Sequence, residues 1–420
     1  MSQKCIKDFD CLYYNFCNNE THICNHLQQD YFSFSKNSNL IGYFLYIIIS
    51  MFGSMGSLNG GALNISNLLF IFYFYLDEAK VISFMSKLTI SSISFLINCD
   101  KQHPYRKEIK AIDYNITILA MPLYMLGLII GDFFTVYIYD KDSNIYKIIE
   151  TSLITIILLA YFIRLSYAIY KYHFNQDDFN VLNEEYENGK KNNDIIENNI
   201  NEYIESETYN DNQIIQWEKI RYIIVPFLVL LLYSVIINSK EIKRYSPLFW
   251  ILTILFFIIL IIYNFILAEN INKKFNQRVS KGYPFAEKEI KYNKHLIYKL
   301  EMLNLLNGLI VGMTCIDQSI LIIIFLILQN CNYRIIQCSV SFYSVVTSIF
   351  SLVYFVLSKN TNYPYLIIFF VWSAIGSIFG NKISGKIIKI NQLYIFIIII
   401  MLILASILVF SFCNYLLLIK

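Results

Sequence analysis

The sequence predicts an all-α polytopic membrane protein built from two related helical bundles, with about 10–12 spans. Composition is the first observation: 56% of the 420 residues are hydrophobic and 15% are charged. An ordinary soluble domain has about 45–50% apolar and about 25% charged residues. Distribution is the second, because the apolar residues form long runs rather than amphipathic stripes. The run from Pro247 to Ala268 carries no charge between Ile251 and Ile262, and about 20 apolar residues carry a helix across a bilayer core. The third is a pair of Gly-rich interruptions, one near the start of each half of the chain. The lipid bilayer is therefore the expected partner. The net charge of +3 is too small to suggest nucleic acid.

The elements follow in order. Residues 1–39 form a short Cys-rich head. Met1–Asp30 is polar and has no apolar h-region, so the first span is expected to serve as the insertion signal unless the start is truncated. Cys5, Cys11, Cys17 and Cys24 are closely spaced and even in number, which reads as a disulfide framework outside the cytosol. Four cysteines allow three pairings, and spacing does not choose among them. Asn19-Glu20-Thr21 is a glycosylation sequon in the same zone, and it agrees with an outside or lumenal head. His22, Cys24 and His26 are close enough to ligate zinc with the other cysteines, but the spacing fits no finger pattern and no metal site is expected. Cys99, Cys315, Cys331, Cys338 and Cys413 read as small buried apolar residues.

Residues 40–167 form the first bundle, with spans near 40–57, 62–76, 79–98, 114–139 and 145–167. Residues 168–219 are an acidic linker: twelve Asp or Glu lie between Phe174 and Glu218, against Lys190 and Lys191. Such a segment buries too little apolar surface to fold alone and reads as a solvated cytoplasmic loop. Residues 220–298 hold two connecting spans, near 220–238 and 246–268, and a basic loop. Residues 299–420 form the second bundle, with spans near 299–313, 316–329, 335–358, 364–381 and 391–413. The short segments 40–57, 62–76, 299–313 and 316–329 suit either full crossings or re-entrant pairs.

Lysine and arginine set the orientation. With the head outside, the loops 99–113, 269–298 and 382–390 are cytoplasmic and basic. The outside loop 239–245 contests this with Lys240, Lys243 and Arg244. The first bundle then starts from outside and the second from inside, which is the inverted-repeat plan of many transporters.

The first interruption is Gly53-Ser54-Met55-Gly56-Ser57-Leu58-Asn59-Gly60-Gly61. The second is Gly308-Leu309-Ile310-Val311-Gly312 followed by Cys315-Ile316-Asp317-Gln318-Ser319. Glycine in a membrane helix has a plain use in close packing. Corresponding breaks in two halves also mark a central binding site, where freed N–H groups and a helix N-terminus receive an anion. Asn59, Gly60, Gly61, Asp317, Gln318 and Ser319 are the candidate substrate-binding residues from these turns. Charges inside spans cost about 2.5–3.5 kcal/mol each on insertion scales and need a reason. Lys87 lies midway along its span and joins the list as an anion attractor. Asp317 suits a coupling proton or a structural pair with Lys87. Asp132 is expected to reach water near an outer end, and Arg164 to snorkel near an inner one.

Together these residues resemble the sulfite exporter family of the TauE/SafE type. The first bundle carries the Gly-rich turn, then Ser86-Lys87, Asn98, His103-Pro104, Ile112-Asp113-Tyr114, Pro122, Leu126-Gly127 and Gly131, in the order and spacing of the family's eukaryotic branch. The second bundle resembles the family's second repeat more loosely, through Gly308, Gly312, Ser339, Ser344, Ser348, Pro364-Tyr365, Gly376 and Gly380. The resemblance covers roughly residues 40–415. It implies a secondary transporter of a small inorganic or organic anion: sulfite, another sulfur oxyanion or a sulfonate. Two departures count against it. The second turn, usually a run of glycines, ends here in Cys315, Asp317, Gln318 and Ser319, and Asn59 stands where the first turn has glycine. These departures motivate the alternative, a transport-inactive relative acting as a membrane scaffold. His103 and Asp113 are expected to shape their loop and cap the next helix. No metalloprotease, nucleophile-elbow or phosphate-loop motif occurs, so no enzyme and no cofactor are expected. A head with disulfides fits the plasma membrane or a secretory-pathway or vacuolar membrane.

Overall fold

The computed structural model describes residues 15–18, 23–26, 37–72, 74, 76–140, 163, 194–237, 246–283, 285, 289–329, 331–358 and 363–390. Cys5, Cys11, Asn19, Arg164 and Cys413, the spans near 145–167 and 391–413, and the linker up to 193 lie outside them. Among the described residues, the one pair of β-strands is in the head. There β1 (Asn15–Asn18) pairs antiparallel with β2 (Ile23–His26), with Cys17 opposite Cys24.

The first bundle contains α1 (Asn37–Met55), α2 (Gly61–Phe70), α3 (Leu76–Asn98) and α4 (Tyr114–Asp140). The connecting region contains α5 (Asp194–Asn212), α6 (Trp217–Ile237) and α7 (Pro247–Ser280). The second bundle contains α8 (Lys294–Thr314), α9 (Ser319–Leu328), α10 (Tyr333–Ser358) and α11 (Tyr363–Ile390). Among the described residues, seven helices are long and apolar enough to cross a membrane. At 1.5 Å per residue, α2 and α9 reach only about 15 Å, half of a bilayer core. Each is therefore a half-helix behind a broken turn.

The helix contacts repeat in a pattern. α1 packs on α11 and α8 on α4; α3 packs on α11 and α10 on α4; α3 and α10 pack on each other. Exchanging α1–α4 for α8–α11 leaves this pattern unchanged, as a pseudo-two-fold axis requires. The crossings are close because small residues line them. A Cβ on Gly308 would run into Tyr124 O, and one on Gly131 into Leu309 O. In the matching crossing, a Cβ on Gly376 or Gly380 would run into the carbonyls of Ile47 or Met51.

Outward faces are apolar: Ile251, Leu255, Ile258 and Ile262 of α7 are exposed, which is lipid-facing chemistry. The interior holds polar side chains such as Asn304, Asn307 and Ser344. The linker has more structure than its composition suggests, because α5 docks through charge rather than apolar burial. Arg278 holds Glu207 through Nε at 2.9 Å and Asp211 at 3.0 Å, Lys274 reaches Glu207 at 3.4 Å, and Lys219 reaches Asp211 at 3.6 Å. Burial opposes ionisation of Asp211, but Lys219 and Arg278 outweigh it and hold the carboxyl below its usual range.

Candidate functional site

The two broken turns meet in the interior. In the first, α1 ends at Met55, Ser57 takes a positive φ of 57°, and Gly60 takes 67° as the N-cap of α2. In the second, Cys315 takes a φ of 54° as it ends α8. Ser57 and Cys315 are the only non-glycine residues with positive φ among the described residues. They are separated by the same 258 positions as Asn59 and Asp317, which touch each other. The same offset relates Gly60 to Gln318, Gly61 to Ser319, and the small residues Ser50 and Ser54 to Gly308 and Gly312. Equivalent positions of the two repeats are thus in contact at the centre.

Asp317 bridges the turns. Its carboxylate accepts the backbone N–H of Asn59 and, at 3.3 Å, the Asn59 side-chain amide. On its own side it accepts Ser319 N at 2.9 Å and Ser319 Oγ at 2.6 Å. An acceptor at the start of α9 and beside the start of α2 suits the positive ends of both half-helices. Lys87 does the reverse. Its ammonium donates to Cys315 O at 2.6 Å and Ile316 O at 3.2 Å, at the negative end of α8. No direct ion pair joins Lys87 to Asp317; the intervening turn couples them. Gly61 has no side chain because a Cβ there would lie 2.8 Å from Lys87 Nζ and 2.9 Å from Cys315 O.

Gln318 extends the polar set into the second bundle. Its side-chain amide donates to Ser348 Oγ at 2.6 Å, and its backbone carbonyl accepts from Asn307 at 2.6 Å. Asn307 also donates to Tyr343 OH, which in turn donates to Asn304. The first bundle answers with Tyr46 OH against Ser86 Oγ. All seven sequence-derived candidates therefore converge: Asn59, Gly60, Gly61, Lys87, Asp317, Gln318 and Ser319. Asn59, Lys87, Asp317, Gln318 and Ser319 are each 4% exposed or less, so the site is buried. Gln318 Oε1 and Asn64 Oδ1 are buried acceptors without a partner among the described residues, so the centre accommodates further donors.

Asp132 corrects an expectation. It does not reach water: it is 5% exposed, accepts from Tyr354 OH at 3.1 Å, and lies 3.8 Å from Lys80 Nζ. Lys80 itself is 1% exposed and is inconspicuous in the sequence because it sits close to the end of its span. Its signal was register: Lys80 and Lys87 are two turns apart on one face of α3. His103 and Asp113 behave as loop formers. His103 Nδ1 accepts the N–H groups of Tyr105 and Arg106 at 3.3 Å. Asp113 accepts Asn115 N at 3.0 Å as the cap of α4 and Tyr292 OH at 2.5 Å. Burial raises the Asp113 carboxyl above its usual range, against the pull of that Tyr292 bond. Among the described residues, no group of His, Cys, Asp and Glu is arranged to hold a metal.

A family model described as sulfite exporter TauE/SafE matches residues 206–408. That stretch runs from α5 through α11 and includes the second turn, the half of the chain whose motifs resemble the family more loosely. No curated protein and no solved structure matches the chain.

Proposed function

We propose that this chain, whose residues 206–408 belong to the sulfite exporter TauE/SafE family, is a secondary transporter of a small anion such as sulfite, another sulfur oxyanion or a sulfonate. The observation that carries the reading is the meeting of two half-helix N-termini and a buried lysine at one point between the repeats. Backbone donors in that position receive an anion without a dedicated cation. The substrate-binding set is Asn59, Gly60, Gly61, Lys87, Asp317, Gln318 and Ser319. Transport then proceeds by rocking of the two bundles about this site.

Asp317 fits this scheme as the coupling residue. Ionised, it fills the donors of Asn59 and Ser319 with the protein's own carboxylate. Protonated, it needs fewer of them, and an anion takes its place. A proton is therefore the coupling ion of this reading. The head is outside or lumenal, with a disulfide framework of Cys5, Cys11, Cys17 and Cys24 and glycosylation at Asn19. The opposed positions of Cys17 and Cys24 in the hairpin favour pairing these two. The chain is not an enzyme, in keeping with a transporter family.

The test is anion flux in proteoliposomes holding the full chain. Lys87→Ala is expected to abolish sulfite flux; flux unchanged in that variant removes this site assignment. A second reading, a membrane scaffold without transport, is favoured by the closed centre, where Asp317 already satisfies the donors. Absence of flux for a panel of sulfur oxyanions in the wild type would select it.

A further inference from the structure

Lys80 and Asp132 form a second buried charge set, at the end of α3 away from the basic loop 99–113. Between it and Lys87 lies an aromatic pair. Phe84 and Phe355 stack with ring centroids 5.1 Å apart and planes 13° from parallel. Lys87 Nζ is 4.3 Å from the Phe84 ring centroid, and Lys80 Nζ is 5.6 Å from the Phe355 centroid. The order through the interior is thus ammonium, ring, ring, ammonium. Lys80, Phe84 and Lys87 share one face of α3, with the two lysines about 10 Å apart along the axis.

We propose that Lys80 is a second anion-binding residue and that the Phe84–Phe355 stack is the gate between it and the Lys87 site. The ligand is the same class of small oxyanion, and the gating role rests on the transport reading above. Three features support the assignment. A lysine inside the hydrocarbon region faces an ion path or a partner. The partner here is loose: 3.8 Å between Lys80 Nζ and Asp132 Oδ1 is beyond hydrogen-bond length. Asp132 has a second support, the Tyr354 hydroxyl at 3.1 Å, which holds it when an oxyanion takes Lys80. Two stacked rings exclude a hydrated anion by dewetting, and both rings belong to helices, α3 and α10, that pack across the repeat axis. Rocking of one repeat against the other separates them.

The experiment measures 35S-sulfite bound per chain in detergent and sulfite flux in proteoliposomes, for the full-length wild type, Lys80→Gln, Lys80→Arg, Lys87→Gln and Phe355→Ala. The double variant Lys80→Gln/Asp132→Asn guards against misfolding from an unpaired carboxylate. The wild type is expected to bind two anions per chain. Lys80→Gln and the double variant should bind one and lose tenfold or more of the flux, while Lys80→Arg keeps both. Phe355→Ala should leave both sites filled and pass chloride, which the wild type holds back. Unchanged stoichiometry and flux in both Lys80→Gln variants would overturn the second site, and a chloride-tight Phe355→Ala would overturn the gate. A wild type that binds sulfite but does not move it removes the transport reading and the gate with it, and the stoichiometry of the Lys80 variants still decides the second site. A wild type that binds none removes both sites.

Discussion

Gly61 and Lys87 constrain each other. The lysine side chain passes over the start of α2 to reach the carbonyls of Cys315 and Ile316, and it occupies the volume that a Cβ at 61 would need. Gly61→Ala therefore displaces the ammonium or the second turn. Overpacking of this kind costs about 1–3 kcal/mol, so a lower melting temperature and lost sulfite flux are expected. Gly385→Ala is the control, since nothing lies within 4 Å of a Cβ there. His103 gives a second residue-scale test. Burial and the neighbouring Arg106 lower its pKa from 6.5 to about 4. The unfolded chain takes up this proton near pH 6.5 and the folded one only near 4, so stability falls as pH drops through that window and recovers as it rises. His103→Asn should flatten this slope, read by thermal unfolding of the detergent-solubilised chain between pH 4.5 and 7. Lys87 and Asp317 were legible in the sequence because a charge inside an apolar run is conspicuous. Lys80 was not, because near a span end a lysine ordinarily snorkels, and only tertiary packing keeps it from water.

At the scale of elements, small residues set the distances between helices. α4 and α8 cross with Gly127, Gly131, Gly308 and Gly312 in the contact, and added methyl groups would meet backbone atoms on both sides. Backbone cannot yield as a side-chain tip does, so Gly308→Leu should prevent assembly, seen as loss of a monodisperse peak in size-exclusion chromatography. The extents of α1–α4 and α8–α10 were readable from apolar run length, but α11 continues to Ile390 through the stretch with Lys382, Lys386 and Lys389 that reads as a loop. The half-helix character of α2 and α9 follows from helix length, which the sequence left open between crossing and re-entrant. The docking of α5 was not readable, because its partners Arg278 and Lys274 are far away in sequence and its composition signals only solvation. Arg278→Ala leaves Glu207 and Asp211 without their closest cation. Amide exchange across α5 should rise in that variant, with α3 and α10 unchanged.

At the scale of the whole molecule, Asp317 belongs to both repeats: it starts α9 and receives the donors of the turn that precedes α2. The repeats are related by an axis through this contact, so a change in its charge acts on both at once. Ionised Asp317 competes with a bound anion twice, by occupying the donors and by repulsion. Lys87, bound to carbonyls on the other side of the turn, offsets only part of that repulsion. Removing that charge at constant pH should therefore strengthen the binding of a sulfonate. Asp317→Asn carries no charge and keeps an acceptor for Ser319. It should bind the sulfonate tenfold or more tighter than the wild type at neutral pH, because neither the repulsion nor the carboxylate's hold on the donors remains. Equilibrium binding of a radiolabelled sulfonate to the two proteins checks this. Equal or weaker binding by Asp317→Asn would leave Asp317 as a structural bridge between the repeats.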